Sequence, residues 1–156
     1  MKNSRIRCIS LWQPWASLMA CGAKFLETRS WDTRVRGEVF IHASKTRRGI
    51  RELIELDDDR ILSAMEEALK LAPIYWEHDL PFGAILACGQ LSDTHLVENT
   101  IEEFEEQEPF GNFDPGRYAH EYRDLRSIVP IPFKGAQGFF FADVPRAAIE
   151  IKLINQ

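Results

Sequence analysis

Apolar and polar positions along the chain switch between a period of two and a period near 3.6, and those switches mark out the elements. Ile6, Cys8 and Ser10 alternate with Arg5, Arg7 and Ile9, which predicts a first strand over residues 4–10. Leu11, Trp15, Leu18 and Met19 then recur at helical spacing. Pro14 suits the first turn of that helix, where no intrahelical N–H is needed, and Gly22 is a natural stop. Residues 25–31 read as a second strand, with Phe25, Glu27, Arg29 and Trp31 on one face and Leu26, Thr28 and Ser30 on the other. A third strand over residues 37–44 sets Val39, Ile41 and Ala43 against Glu38, Phe40, His42 and Ser44. Apolar residues occur on both of its faces, so it is expected to be central or to line a cavity.

Residues 48–57 and 59–71 read as helices, the second with a stripe of Ile61, Met65, Ala68 and Leu69 and with Pro73 beyond its end. Asp57, Asp58 and Asp59 stand near its N-terminus, where negative charge is favoured. Pro81 and Gly83 bracket a turn into a long strand over 84–97. An acidic stretch over 98–108 reads as a short exposed helix, and 111–116 as a loop. Residues 118–126, 127–132 and 138–144 read as further extended segments and 148–154 as a last one; Pro130 and Pro132 keep theirs out of a central position. Strands grouped after helices predict an α+β fold with a small barrel or curled sheet rather than a doubly wound parallel sheet.

Composition narrows this to one domain: 156 residues, 45% hydrophobic, are enough for a single core. No apolar run approaches the ~20 residues of a membrane span, and the N-terminus lacks the pattern of a secretory signal, so a cytoplasmic protein without membrane contact is expected. Cys8, Cys21 and Cys88 form no CxxC pair, and His42, His78, His95 and His120 show no metal-binding spacing. Neither a phosphate-loop nor a dinucleotide-binding glycine motif occurs, so no metal and no cofactor is expected. The net charge of -5 disfavours a polyanionic partner until it is divided along the chain. Residues 1–51 carry 11 Lys/Arg against 3 Asp/Glu, whereas 52–110 carry 2 against 16. Such a division suits a basic face and an acidic face, unless the charges mix in three dimensions.

The densest candidate chemistry lies in residues 12–45: Gln13, Trp15, Lys24, Glu27, Arg29, Trp31, His42, Ser44 and Lys45. Glu27 and Arg29 share a strand face and can pair or bind a ligand side by side. Lys24, three residues before Glu27, would face the opposite way on a regular strand; the two converge only if Lys24 lies in the turn after Gly22. A lysine beside a carboxylate and under an aromatic can be tuned as an acid or a base, although surface ion pairs are commoner. Trp15 and Trp31 can stack on a base or fill the core. His42 can reach a ligand or serve as a hydrogen-bonded core residue. Ser44 and Lys45 open a basic turn suited to phosphate or simply solvated. Arg117 and Tyr118 can cap the cleft, and Lys134 and Gln137 flank small residues where a ligand could approach the backbone. The run Glu102–Glu108 is a solvated face, a screen against foreign polyanions, or a contact for a basic protein partner.

Several of these stretches together resemble the ASCH domain of the PUA-like superfamily. They are Ser10-Leu11-Trp12-Gln13-Pro14-Trp15-Ala16, the segment Gly22-Ala23-Lys24 with Glu27, Arg29 and Trp31, Thr33 with Arg36-Gly37, and Ile41-His42-Ala43-Ser44. Gly83 to Leu91 and Pro132 to Gly138 resemble later elements of the same family. The resemblance implies one domain over 1–156, a small PUA-like β-barrel surrounded by helices, and a cleft beside the Lys24–Arg29 segment. It also implies binding of RNA or nucleotides. One bacterial branch deacylates N4-acetylcytidine with a Lys, a Thr and a Glu. Its Lys falls on Lys24 and its Thr on Glu27, a departure, and its Glu on no alignable motif, somewhere in 98–108. An acid–base hydrolysis by Lys24 and Glu27, with water as nucleophile, stays chemically open.

Overall fold

In the computed structural model, which describes residues 2–151, the chain runs β1 (Asn3–Leu11), α1 (Trp15–Ala20), β2 (Leu26–Arg29), β3 (Gly37–Ala43), α2 (Arg48–Leu56), α3 (Asp59–Leu69), α4 (Trp76–Asp79), β4 (Ala84–Leu96), β5 (Tyr118–Pro132) and β6 (Phe139–Pro145). The strands form one sheet in the order β2-β5-β4-β3-β1-β6. β1 and β3 are parallel, and the other neighbours are antiparallel. The α+β class is as expected, and so is the place of β3 between β4 and β1. Val39 and Ile41 pack on one face with Ala16 and Met19 of α1, while Phe40 packs on the other with Ile6, Cys8, Ile85 and Val144. A third cluster, Leu18, Ile50, Leu53, Met65, Trp76 and Phe110, joins α1 to α2, α3, α4 and the turn that ends at Phe110. Burying each large side chain is worth about 1.5–3 kcal/mol, so these clusters fix where the helices sit.

The implied barrel is corrected to an open sheet: among the described residues the ladder ends at β2 and β6 without closing. β2 offers only four residues to a neighbour, and β6 ends at Pro145, which has no N–H to extend a ladder. The sheet curls nonetheless. The β4–β5 register shifts at three places, between Ile85 and Ala87, Cys88 and Gln90, and Leu91 and Asp93, and such bulges bend a ribbon. Side chains then bridge what backbone does not. Arg29 Nη2 at the end of β2 donates to the Ser10 carbonyl of β1 at 3.0 Å. Trp31 meets Phe139 of β6 edge to face, with centroids 5.8 Å apart.

Three other expectations change. Residues 118–126 and 127–132 form one strand, β5. Its half with Pro130 and Pro132 pairs with β4, while β2 pairs only with residues 118–121, so the prolines do lie where one neighbour is missing. The segment 98–108 is no α-helix but 3-10 turns, Val97–Asn99 and Glu105–Phe110. Its glutamates face solvent or a surface partner, Pro109 supplies no N–H, and Gln107 and Phe110 are drawn inward. Of the last expected strand, residues 148–151 hold the end of a 3-10 turn and a lone bridge from Ile151 to Ile128, and 152–154 lie outside the described residues.

Candidate functional site

The site starts at the turn after α1. Gly22 takes a left-handed backbone (φ 82°), which lets the chain reverse and sends Lys24 N–H back to the Leu18 carbonyl at 3.0 Å. Gln107 clamps the same turn from far along the chain. Its Oε1 accepts from Phe25 N–H at 2.8 Å and Leu26 N–H at 3.2 Å, and its Nε2 donates to the Ala23 carbonyl at 2.8 Å. The turn aims the Lys24 side chain inward. Nζ donates to the carbonyls of Leu26 at 2.6 Å and Phe110 at 2.9 Å, and lies 3.2 Å from Glu27 Oε1. The other Glu27 oxygen is 2.9 Å from Arg29 Nη2. Lys24, Glu27 and Arg29 therefore converge.

Burial sets the electrostatics of this trio. Lys24 has 0% exposure, and burial pushes its ammonium below the usual range, an effect that Glu27 offsets only in part. Burial alone would raise the Glu27 carboxyl; Lys24 and Arg29 outweigh it and hold the group below the usual carboxylate range. The result is an ionised carboxylate clamped between two cations, with the lysine's three protons all directed at acceptors.

Two cavities open beside the trio and share Ser10, Trp12 and Arg29, so they form one groove with two halves. The first, about 690 Å³, runs between the sheet mouth and α2/α3. Glu27 and Arg29 stand on its wall with Trp15, Leu53, Met65 and Arg117. The second, about 840 Å³, is bounded by Trp31, His42, Ser44, Lys45 and the segment Lys134 to Gly138. His42 anchors that segment. The Phe133 carbonyl can only accept, so His42 Nε2 donates to it at 2.7 Å, and Nδ1 is left to accept from the Ser10 hydroxyl at 2.9 Å. Burial holds His42 below its usual pKa, in keeping with this neutral tautomer. Gly135 presses onto the pair: a Cβ there would lie 2.5 Å from His42 Cε1 and 2.7 Å from Ser10 Oγ. Among the described residues, no amide of residues 134–138 finds a backbone acceptor, and neither Lys45 nor Lys134 has a carboxylate within ion-pair distance.

Of the candidate residues, Arg29, Trp31, His42, Ser44 and Lys45 line the second half, and Trp15, Glu27 and Arg29 the first. Lys24 lies behind Glu27, off both walls. Gln13 is a buried strut: its amide donates to Ser17 Oγ and the Pro81 carbonyl and accepts from Ser17 N–H. Tyr118 sits in the ladder opposite Arg29 and Leu96 and lines neither half. Two residues escaped the sequence reading. Trp12 is 37% exposed, faces both halves and lies under the Arg48 guanidinium at 5.4 Å. The break in alternation between Leu11 and Pro14 was the signal that it leaves the strand. Gln107 had none, because its partners are more than 80 positions away. No group of three or more His, Cys, Asp or Glu among the described residues is placed to hold a metal. No helix there is long and apolar enough to cross a membrane.

A curled mixed sheet flanked by helices defines a class of fold that solved proteins share. A crystal structure of the ASCH protein of Zymomonas mobilis superposes with a TM-score of 0.53 at 15% identity, covering 91% of this chain and 89% of that one. A point mutant of the same protein gives 0.51, also at 15%, with 91% of each chain covered. At that identity the likeness concerns the fold alone. The pattern of the ASCH domain matches residues 9–135, and the chain belongs to the ASCH domain family. Among curated relatives, activating signal cointegrator 1 of Mus musculus is 35% identical over 97 residues, and that of Homo sapiens 34%. Each match covers 62% of this chain but only 16% of the relative.

Proposed function

We propose that the groove binds single-stranded RNA or a nucleotide, with phosphate in the half closed by residues 134–138 and a base against Trp12. One observation carries this: an exposed tryptophan and two lysines without carboxylate partners among the described residues share a single groove. Among the described residues the half with Lys45, Lys134 and Arg29 has no carboxylate on its wall, and the amides of 134–138 that meet no backbone acceptor there suit phosphate oxygens. The other half sets Glu27 and Glu52 against Arg29 and Arg117 among apolar residues, so its charges balance and it suits a base whose edge can both donate and accept. The link of ASCH domains with RNA binding supports the reading. Titration with a single-stranded RNA tests it. With two phosphates held by Lys45 and Lys134, log affinity should fall against log salt with a slope of about -1.4. No binding even at low salt overturns it.

Hydrolysis of an acylated pyrimidine nucleoside by Lys24 and Glu27 has the convergence of that pair in its favour. A carboxylate held below its usual range is a weak base at neutral pH, however, and Lys24 reaches neither cavity wall. Turnover of acylated nucleosides that disappears in Glu27→Gln would favour the enzyme reading over binding alone. A contact of the acidic stretch 98–108 with a basic protein partner rests only on its exposed glutamates. Charge reversal of Glu102 to Glu106 that leaves partner recovery unchanged removes it.

A further inference from the structure

The concave face of the sheet does not stop at the groove. Directly opposed residues of an antiparallel pair project to the same side. Ile9 faces Phe139, Arg7 faces Phe141 and Arg5 faces Asp143. Ile9 and Phe139 lie in the cluster covered by α1, and Phe139 touches Trp31, which lines the groove. Two positions further along, about 7 Å at the usual strand rise, the same face is open. Phe141 there is 50% exposed, with the Arg5 guanidinium 4.4 Å and that of Arg7 5.0 Å from its ring centre. Asp143, also exposed, has no cation within ion-pair distance among the described residues.

We propose that Phe141, Arg5 and Arg7 form a second contact for single-stranded nucleic acid, continuing the groove outward past Trp31 and Phe139. This rests on the groove reading above. An exposed aromatic with two guanidinium groups over its ring gives a base a stacking platform of ring and guanidinium planes and its flanking phosphates two cations, without selecting sequence. Asp143 at the far end would repel phosphate and so marks the outer limit of the track. The occupant is a strand long enough to fill the groove and leave it; a nucleotide that fills the groove alone does not reach Phe141.

Length dependence tests the track. Binding of a dinucleotide and of an RNA of about ten nucleotides is measured for the wild type, Phe141→Ala, Phe141→Leu and the double variant Arg5→Gln/Arg7→Gln. The longer RNA should bind Phe141→Ala about tenfold more weakly, and Phe141→Leu should recover little, because it restores apolar bulk but no ring. The arginine variant should lower the salt slope for the longer RNA by about 1.4. The dinucleotide should bind every variant as it binds the wild type. Equal loss for both lengths, or no loss for the longer RNA, overturns the track while leaving the groove reading intact. Failure of the wild type to bind either RNA overturns both.

Discussion

In the half of the groove built on β2, Lys24, Glu27 and Arg29 answer one another within 3.2 Å. In the half closed by residues 134–138, Lys45 and Lys134 meet no carboxylate among the described residues. Both halves are rich in charge, yet the charge serves different ends. A buried ion paid for with desolvation must be satisfied inside the fold, so the first set fixes the shape of a wall. Partly solvated lysines cost little to leave unpaired and keep their attraction for an incoming anion. If that contrast holds, substitutions in the first half should act on stability and substitutions in the second on affinity.

The largest effect is expected at Lys24. Lys24→Met leaves Glu27 one cation short and strips the carbonyls of Leu26 and Phe110 of a buried donor. Removing one partner of a buried pair costs about 3–5 kcal/mol. Urea unfolding should show a loss of that size; a loss under about 1 kcal/mol would mean the trio is not structural and would collapse the comparison. Gln107→Ala comes next. It deletes three hydrogen bonds that hold the turn, two of them to amides, and should cost about 1–3 kcal/mol. A neutral result there would show that the turn holds Lys24 in place unaided.

The trio was the part of the site that the chain itself disclosed. Spacing placed Glu27 and Arg29 on one face, and Gly22 gave the one local geometry in which Lys24 could join them. The two apolar faces of residues 37–44 likewise disclosed a central strand. What stayed hidden depends on distant segments. Gln107 lies in a run of glutamates that reads as solvated, and most of that run is; only the curled sheet shows that one amide turns inward to the 23–26 turn. Gln13 belongs to the same stretch of candidates, residues 12–45, as the groove residues, but its amide is spent on Ser17 and Pro81, the latter supplied from 68 positions away. Whether the strands make a barrel or a curled sheet, both open in the pattern, was hidden for a related reason. Arg29 and Trp31 bridge the strand ends through side chains, which no periodicity records.

On the ligand side of the comparison, Trp12→Ala should weaken RNA binding by about 1–3 kcal/mol, the usual worth of one stacked base. With 37% of Trp12 already exposed, its stability cost should be the smaller effect. The reverse order, a large stability loss with unchanged affinity, would return Trp12 to the core. Lys134→Ala should reduce the salt slope of binding by about 0.7 and change stability by no more than about 0.5 kcal/mol. A salt slope left unchanged would remove the 134–138 segment from phosphate contact and, with it, the functional half of the contrast.

Acid should separate the halves by degree. Burial holds His42, at the loop, and His120, beside the trio, below their usual 6.5. The unfolded chain then binds these protons more readily than the fold does. Their contribution is fully present above pH 6.5 and is lost as the pH falls through the folded values. Glu27, held below its usual 4.5, adds a second loss only at more acid pH. Unfolding free energy measured from pH 7.5 downward should therefore decline in two stages. His42→Gln should shallow the first stage by removing the loop's share while leaving the part that belongs to His120. An unaltered first stage in that variant would mean that His42 keeps its proton as readily in the fold as in the unfolded chain, and that the loop is not held by a neutral imidazole.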